Sequence, residues 1–229
     1  MNSFASLQTR VALPFSPSTE DLYARVFDAI LDQRIDTTSR FTEESLAQMF
    51  GARRSDIRGV LTQLSHQQVI VLRSNHRPRV ALLDAEQVRQ TLHARRLTEI
   101  TLVRLACQQL RPRALQRLGE LIDSERHCGA RGTSIRLSGE FHSGLAEMAG
   151  NSPLAHFLGS LVTITSLAIA QFEAQLEGDC VWQAHQRILD AVARQDATMA
   201  EALLSAHLDH VQAVLISSAP LFSKNSVAG

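Results

Sequence analysis

Residues 42–80 constrain this chain more than any other stretch, because a short helix pattern, a glycine turn, an arginine-studded second helix and a basic hairpin follow one another without a gap. Thr42 is placed to cap a helix whose apolar positions Leu46, Met49 and Phe50 fall on one face, and Gly51 stands where a left-handed residue would end it. Ile57, Val60, Leu61 and Leu64 then repeat at spacings of three and four. They bury one stripe of a second helix and leave Arg54 and Arg58 side by side on another face. Segments 69–72 and 80–83 are short apolar strands, joined by a polar connection that Pro78 keeps out of regular pairing and that carries Arg73, Arg77 and Arg79. This order spells a winged helix-turn-helix with the arginine-rich connection as its wing, and it predicts duplex DNA as a partner.

Charge supports that expectation locally and not globally. The chain is neutral overall, with 23 basic and 23 acidic residues, so composition gives no general affinity for nucleic acid. Between Arg53 and Arg79, however, six arginines stand against one acid, Asp56. Arginine forks contact phosphates or take guanine bidentately, while Ser55 and Asn75 are short hydrogen-bonding groups for backbone or base edges.

The segment resembles the DNA-binding domain of the GntR family of bacterial transcription regulators. The resemblance rests on Glu43, Leu46, Ala47, Gly51, Arg54, Ile57, Arg58, Leu61, Leu64, Val69, Arg73, Asn75 and Val80. It implies a DNA-contacting set of Thr42, Arg53, Arg54, Ser55, Arg58, Asn75, His76 and Arg77, with Arg54 and Arg58 central and the last three at the wing tip. Departures from the family line are Glu44 for an arginine, Arg53 for a serine, Ser55 and Asp56 for Thr-Pro, and Arg77 for the wing glycine. Glu44 and Asp56 would repel phosphate.

Upstream, Leu22, Val26, Ala29, Ile30 and Ile35 make a first helix with Ser18 or Thr19 as cap and Glu20 and Asp21 in its first turn. Residues 1–17 show no sustained period and suggest a loose arm, without the basic start and apolar run of a secretory signal. Cys107, Cys128 and Cys180 are widely spaced, which fits reduced thiols in a cytoplasmic protein. No charge occurs from Met148 to Phe172, yet Asn151, Ser152, Pro153, His156, Thr163, Thr165, Ser166 and Gln171 interrupt that interval, so a helix buried in a bundle is expected there in place of a membrane span.

From residue 84 the periods are helical throughout, over 84–109, 112–128, 132–149, 153–176, 180–194 and 196–217. The predicted fold is mainly α: an arm 1–17, a winged helix-turn-helix 18–83, an antiparallel six-helix bundle 84–217 and a tail 218–229. Such a bundle behind such a head resembles the FCD domain of the FadR subfamily, which implies a small effector inside the bundle and a divalent metal, Zn or Ni, in many members.

That resemblance singles out His142, His185 and His207. The family pattern D-x-x-x-H, a later E-H-x-x-I-L-x-A and an inward histidine on the last helix correspond here to Ser138 and His142, to Ala184 through Ala191, and to His207. Three imidazoles from three helices suit a divalent ion with open positions for water or a ligand carboxylate. Ser138 replaces the family's Asp on the same helix face as His142, and a hydroxyl is a weaker ligand than a carboxylate. Arg95, one turn before Glu99, matches the family's R-x-x-x-E. It is either a clamp for an effector carboxylate or one half of an ordinary i,i+4 ion pair. His93 stands where the family often has Glu, in a position to alter pocket polarity. The effector set is therefore Arg95, Ser138, His142, His185 and His207.

The expected function is a homodimeric, ligand-responsive repressor of a catabolic operon, released from a palindromic operator by a carboxylate or nitrogen-rich metabolite. One alternative is a metal-free FadR-like regulator of an apolar or acyl ligand. A remote one is a metal-dependent hydrolase, for which Glu140 is the nearest general base but is badly spaced from the histidines.

Overall fold

The computed structural model describes residues 19–109, 111–172 and 181–218. The expected arm, Ser18 as cap, the junction between the intervals 153–176 and 180–194, Cys180 and the tail beyond Ser218 lie outside them. The first three helices are α1 (Thr19–Leu31), α2 (Glu43–Phe50) and α3 (Arg54–His66). Thr42 caps α2 by a reciprocal pair: its hydroxyl accepts from Ser45 N at 3.1 Å, and the Ser45 hydroxyl accepts from Thr42 N at 2.9 Å. Gly51 closes α2 at φ 61°, the left-handed conformation its missing Cβ makes easy. The inward face of α2 is Leu46, Ala47 and Phe50; Met49, expected inside, faces solvent. α1 ends at Leu31, before the expected Ile35, because Gln33 turns left-handed at φ 59° and Ile35 reaches the core from the turn that follows.

The hairpin is shorter than expected. Strands β1 (Ile70–Val71) and β2 (Arg79–Val80) pair antiparallel with Ile70 opposite Val80. Ala81 N still donates to Val69 O at 2.8 Å, and from there the backbone turns to another partner: Gln171 of the bundle donates to Ala81 O at 2.5 Å and accepts from Leu83 N at 3.2 Å. A side-chain amide thereby satisfies groups that a longer ladder would have used.

Among the described residues six helices follow, as predicted: α4 (Ala85–Gln108), α5 (Pro112–His127), α6 (Arg131–Met148), α7 (Ser152–Gln171), α8 (Val181–Ala193) and α9 (Ala197–Ser218). Asp84 caps α4 by accepting from Gln87 N at 2.7 Å, and Pro112 and Pro153 open α5 and α7, where a missing N–H costs nothing. α4 packs on α7 and α9, α6 on α5 and α7, and α8 on α5 and α9. Ion pairs of Arg96 with Asp209, and of Arg104 with Glu201, run along the α4–α9 seam. α7 is long and apolar enough to cross a membrane by length and composition, but 61% of its most apolar window is buried inside this fold.

The head is not a separate bead. Its core of Leu22, Ile30, Ile57 and Leu61 runs on into Ile164, Leu167 and Leu215 of the bundle. α1 lies directly on α6: Asp28 accepts from Arg136 Nε at 2.6 Å and from Thr133 Oγ1 at 2.8 Å, and Asp32 accepts from Gly132 N at 2.5 Å. Only a glycine fits at 132, since a Cβ there would stand 2.6 Å from Asp28 O.

Candidate functional site

Each of the three histidines sits on the apolar stripe of its helix, and helix packing turns all three stripes toward one point. On α6 the stripe is Phe141, His142, Leu145 and Ala146; on α8 it is His185, Ile188, Leu189 and Val192; on α9 it is Leu204, His207, Leu208 and Val211. All three imidazoles are buried, and one donor atom from each lies within 4.8 Å of the other two. The Nε2 atoms of His142 and His207 are 3.2 Å apart. Two nitrogens bound at zinc distances with a tetrahedral angle between them stand about 3.3 Å apart. Phe141 stacks on His185 with ring centroids 4.2 Å apart and fixes that ring's plane.

Two buried carboxylates orient the rings from behind. His142 Nδ1 lies 2.6 Å from Glu99 Oε2 on α4, and His185 Nδ1 lies 2.8 Å from Glu125 Oε2 on α5. An Nδ1–H donated to a carboxylate leaves the Nε2 lone pair directed inward, the tautomer a metal requires. His185 Nε2 and Glu125 Oε1 are buried with no hydrogen-bond partner among the described residues. An inward, unpartnered imidazole nitrogen beside two others is the donor set of a divalent ion, so these residues fit one.

Electrostatics agree with neutral imidazoles. Burial pushes His142 down to about 4 against the pull of Glu99, and burial together with His185 and His142 takes His207 well below its ordinary value. Burial alone would raise the Glu99 carboxyl, but Arg95 and His142 beside it hold it at about 2. The i,i+4 ion pair of Arg95 with Glu99, one of the two expectations for this arginine, is formed, and it is buried in the bundle. Among the described residues Arg95 spends only its Nε, on Glu99.

Other expected residues fall elsewhere. Ser138 is half-buried one turn before His142, whereas His93 is exposed and takes no part in pocket polarity. Glu140 faces outward and bonds Arg136 at 2.6 Å, so it offers the trio no general base. A cavity of about 300 Å³ opens between α8 and α9 beside His207, with Arg187 and His210 at its rim.

At the other end, Arg53, Arg54, Ser55 and Arg58 are exposed on the first turns of α3. Arg58 and Arg54 are both held by α2: Arg58 Nε and Nη2 bond Glu43 at 2.8 and 2.7 Å, and Arg54 Nε lies 3.3 Å from Glu44. Asn75, at φ 60°, turns the wing so that His76 and Arg77 form its tip. Together with Arg79 and Arg40 they line a groove of about 400 Å³. Arg40 lies in the loop before α2, outside the helical and wing patterns that drew attention to the others.

The FCD domain matches residues 90–210, more than half of the chain. The chain belongs to the FCD family. The HTH-type transcriptional regulator LutR of Bacillus subtilis is 26% identical over 201 residues, spanning 75% of this chain and 89% of LutR. The transcriptional repressor NanR of Cronobacter sakazakii is 26% identical over 195 residues, 74% of each chain. Among solved structures, E. coli McbR/YncC has a TM-score of 0.68 at 16% identity, covering 87% of this chain and 97% of its own. A putative GntR regulator from Rhodococcus sp. RHA1 has a TM-score of 0.67 at 20% identity with the same coverage. This FCD protein is a ligand-responsive transcription regulator of the GntR type, and the hydrolase alternative falls.

All three histidines, together with Arg95, Glu99, Glu125 and Ser138, lie within the matched FCD segment. Glu125 was missed by the sequence reading. Its signal was an acid on the buried stripe of α5, one turn after Ile122 and in register with Leu118.

Proposed function

We propose that this FCD regulator belongs to the FadR subfamily and acts in the cytoplasm as a homodimeric repressor, in which residues 18–83 grip a half-site of a palindromic operator and residues 84–217 hold effector and metal. The observation that carries the reading is the convergence of three buried imidazoles with His185 Nε2 left unpartnered. His142, His185 and His207 would hold one Zn or Ni ion per subunit. When bound, the ion supplies Lewis acidity and open coordination positions for an anionic effector.

The chain's own residues do the rest. Glu99 and Glu125 keep the Nδ1 protons of His142 and His185 turned away from the centre. The remaining N–H groups of Arg95 donate to no other described residue, so they can take an incoming carboxylate bidentately. Ser138 adds a hydroxyl from the same helix. On the DNA side, Thr42, Arg53, Arg54, Ser55 and Arg58 meet one groove, while Asn75, His76 and Arg77 reach the flanking backbone. Effector binding favours one placement of the two heads over another, to the extent that its affinity for the two placements differs.

The test is metal analysis of purified protein, with Zn and Ni titrations into chelator-treated protein and gel shifts on its own upstream DNA. About one ion per subunit in the wild type and none in His142→Ala supports the reading. Absence of metal with effector-sensitive DNA binding would favour the metal-free alternative.

A further inference from the structure

Glu125 stands out in the bundle because its charge is answered only by a histidine. Both carboxylates behind the trio are buried, but Glu99 carries Arg95 as counter-charge whereas, among the described residues, no arginine or lysine pairs with Glu125. One Glu125 oxygen receives His185 Nδ1 and the other has no partner, within a stripe that is otherwise Leu118 and Ile122. An acid left so costs stability unless positive charge arrives nearby. His185 shows the complementary lack, its Nε2 being buried and unpartnered. Position 138, one turn before His142, bears a hydroxyl, so the donor set at the centre is three imidazoles with no carboxylate among them.

We propose that Glu125 is the positioning residue that supplies, through His185, the negative charge that a ligating carboxylate at position 138 would have provided directly. The inference rests on the metal reading above and adds to it which buried acid sets the affinity. A carboxylate on the Nδ1–H of a metal-bound imidazole makes that ring a stronger donor and fixes its orientation. Glu99 does this less, because Arg95 has already neutralised it.

The experiment compares the wild type with Glu125→Gln, which keeps an acceptor for His185 Nδ1 and removes the charge, and with Glu125→Gln combined with Ser138→Asp. Zn and Co affinities are measured by chelator competition, the Co absorption spectrum reports ligand geometry, and the melting temperature of metal-free protein is recorded for each. The expected result is a roughly 10–100-fold weaker metal site in Glu125→Gln, with metal-free melting no lower than the wild type. Ser138→Asp in that background should restore most of the loss. Equal affinity in wild type and Glu125→Gln would overturn this inference and leave the metal reading standing. Weakened metal binding with a matching fall in metal-free stability and no rescue by Ser138→Asp would assign Glu125 to packing, which also overturns it. A wild type that takes up no metal at all would remove both.

Discussion

Arg58 of α3 and Glu43 of α2 meet fork to fork, Nε to Oε1 at 2.8 Å and Nη2 to Oε2 at 2.7 Å, on the surface proposed to face DNA. The carboxylate fixes one edge of the guanidinium and leaves the other for a phosphate or a base, so Glu43 aims the arginine at the cost of part of its charge. Arg58→Ala should weaken operator binding and flatten its salt dependence by about one unit of slope. Glu43→Gln should do the reverse for charge and harm aim, strengthening binding to scrambled duplex while cutting the preference for operator by about fivefold or more. Gel shifts on both duplexes across a salt series check the pair, and unchanged binding in Arg58→Ala would count against this face.

Arg95→Met leaves Glu99 charged in the bundle interior with only His142 beside it. The expected loss is about 3–5 kcal/mol of folding stability, measured by urea denaturation, because a buried carboxylate loses its counter-charge. Adding Glu99→Gln should recover a large part of that loss while leaving His142 an acceptor for its Nδ1–H.

Acid should destabilise the metal-free protein in two stages. His142 binds its proton less readily in the folded chain, at about 4, than in the unfolded chain near 6.5, so its contribution is complete above 6.5 and drains away as pH falls toward 4. His207 shifts in the same direction. Glu99, ordinarily 4.5 and held at about 2, contributes above 4.5 and is lost as pH falls toward 2. Thermal melts should therefore drop between about pH 7 and 5, and His142→Asn should flatten that part of the profile.

Much of the architecture could be read from spacing, because the apolar stripes that define α3 and α4–α9 are the same stripes that pack. The histidines were legible for the same reason: each is a polar residue standing in a row of Leu, Ile and Val. Three things were hidden. Met49 and Ala47 are both compatible with the spacing of Leu46 and Phe50, and only the tilt of α2 on α3 decides which goes inside. Glu125 pairs with a histidine 60 residues away, so no local pattern announces the partner, although an acid in register with Leu118 and Ile122 was a clue. The reach of Gln171 to the end of the hairpin was likewise invisible, being set by how the head leans on α7.

Gly132 has a mechanical meaning beyond close packing. Because residue 132 has no side chain, α6, which carries His142, lies close against α1 of the head, and the two helices are bolted together at Asp28 and Asp32. A shift of His142 would travel to the head as through a crank. In the homodimer proposed above, the play would then lie where the two copies meet, and an effector would act by resetting the angle of that joint.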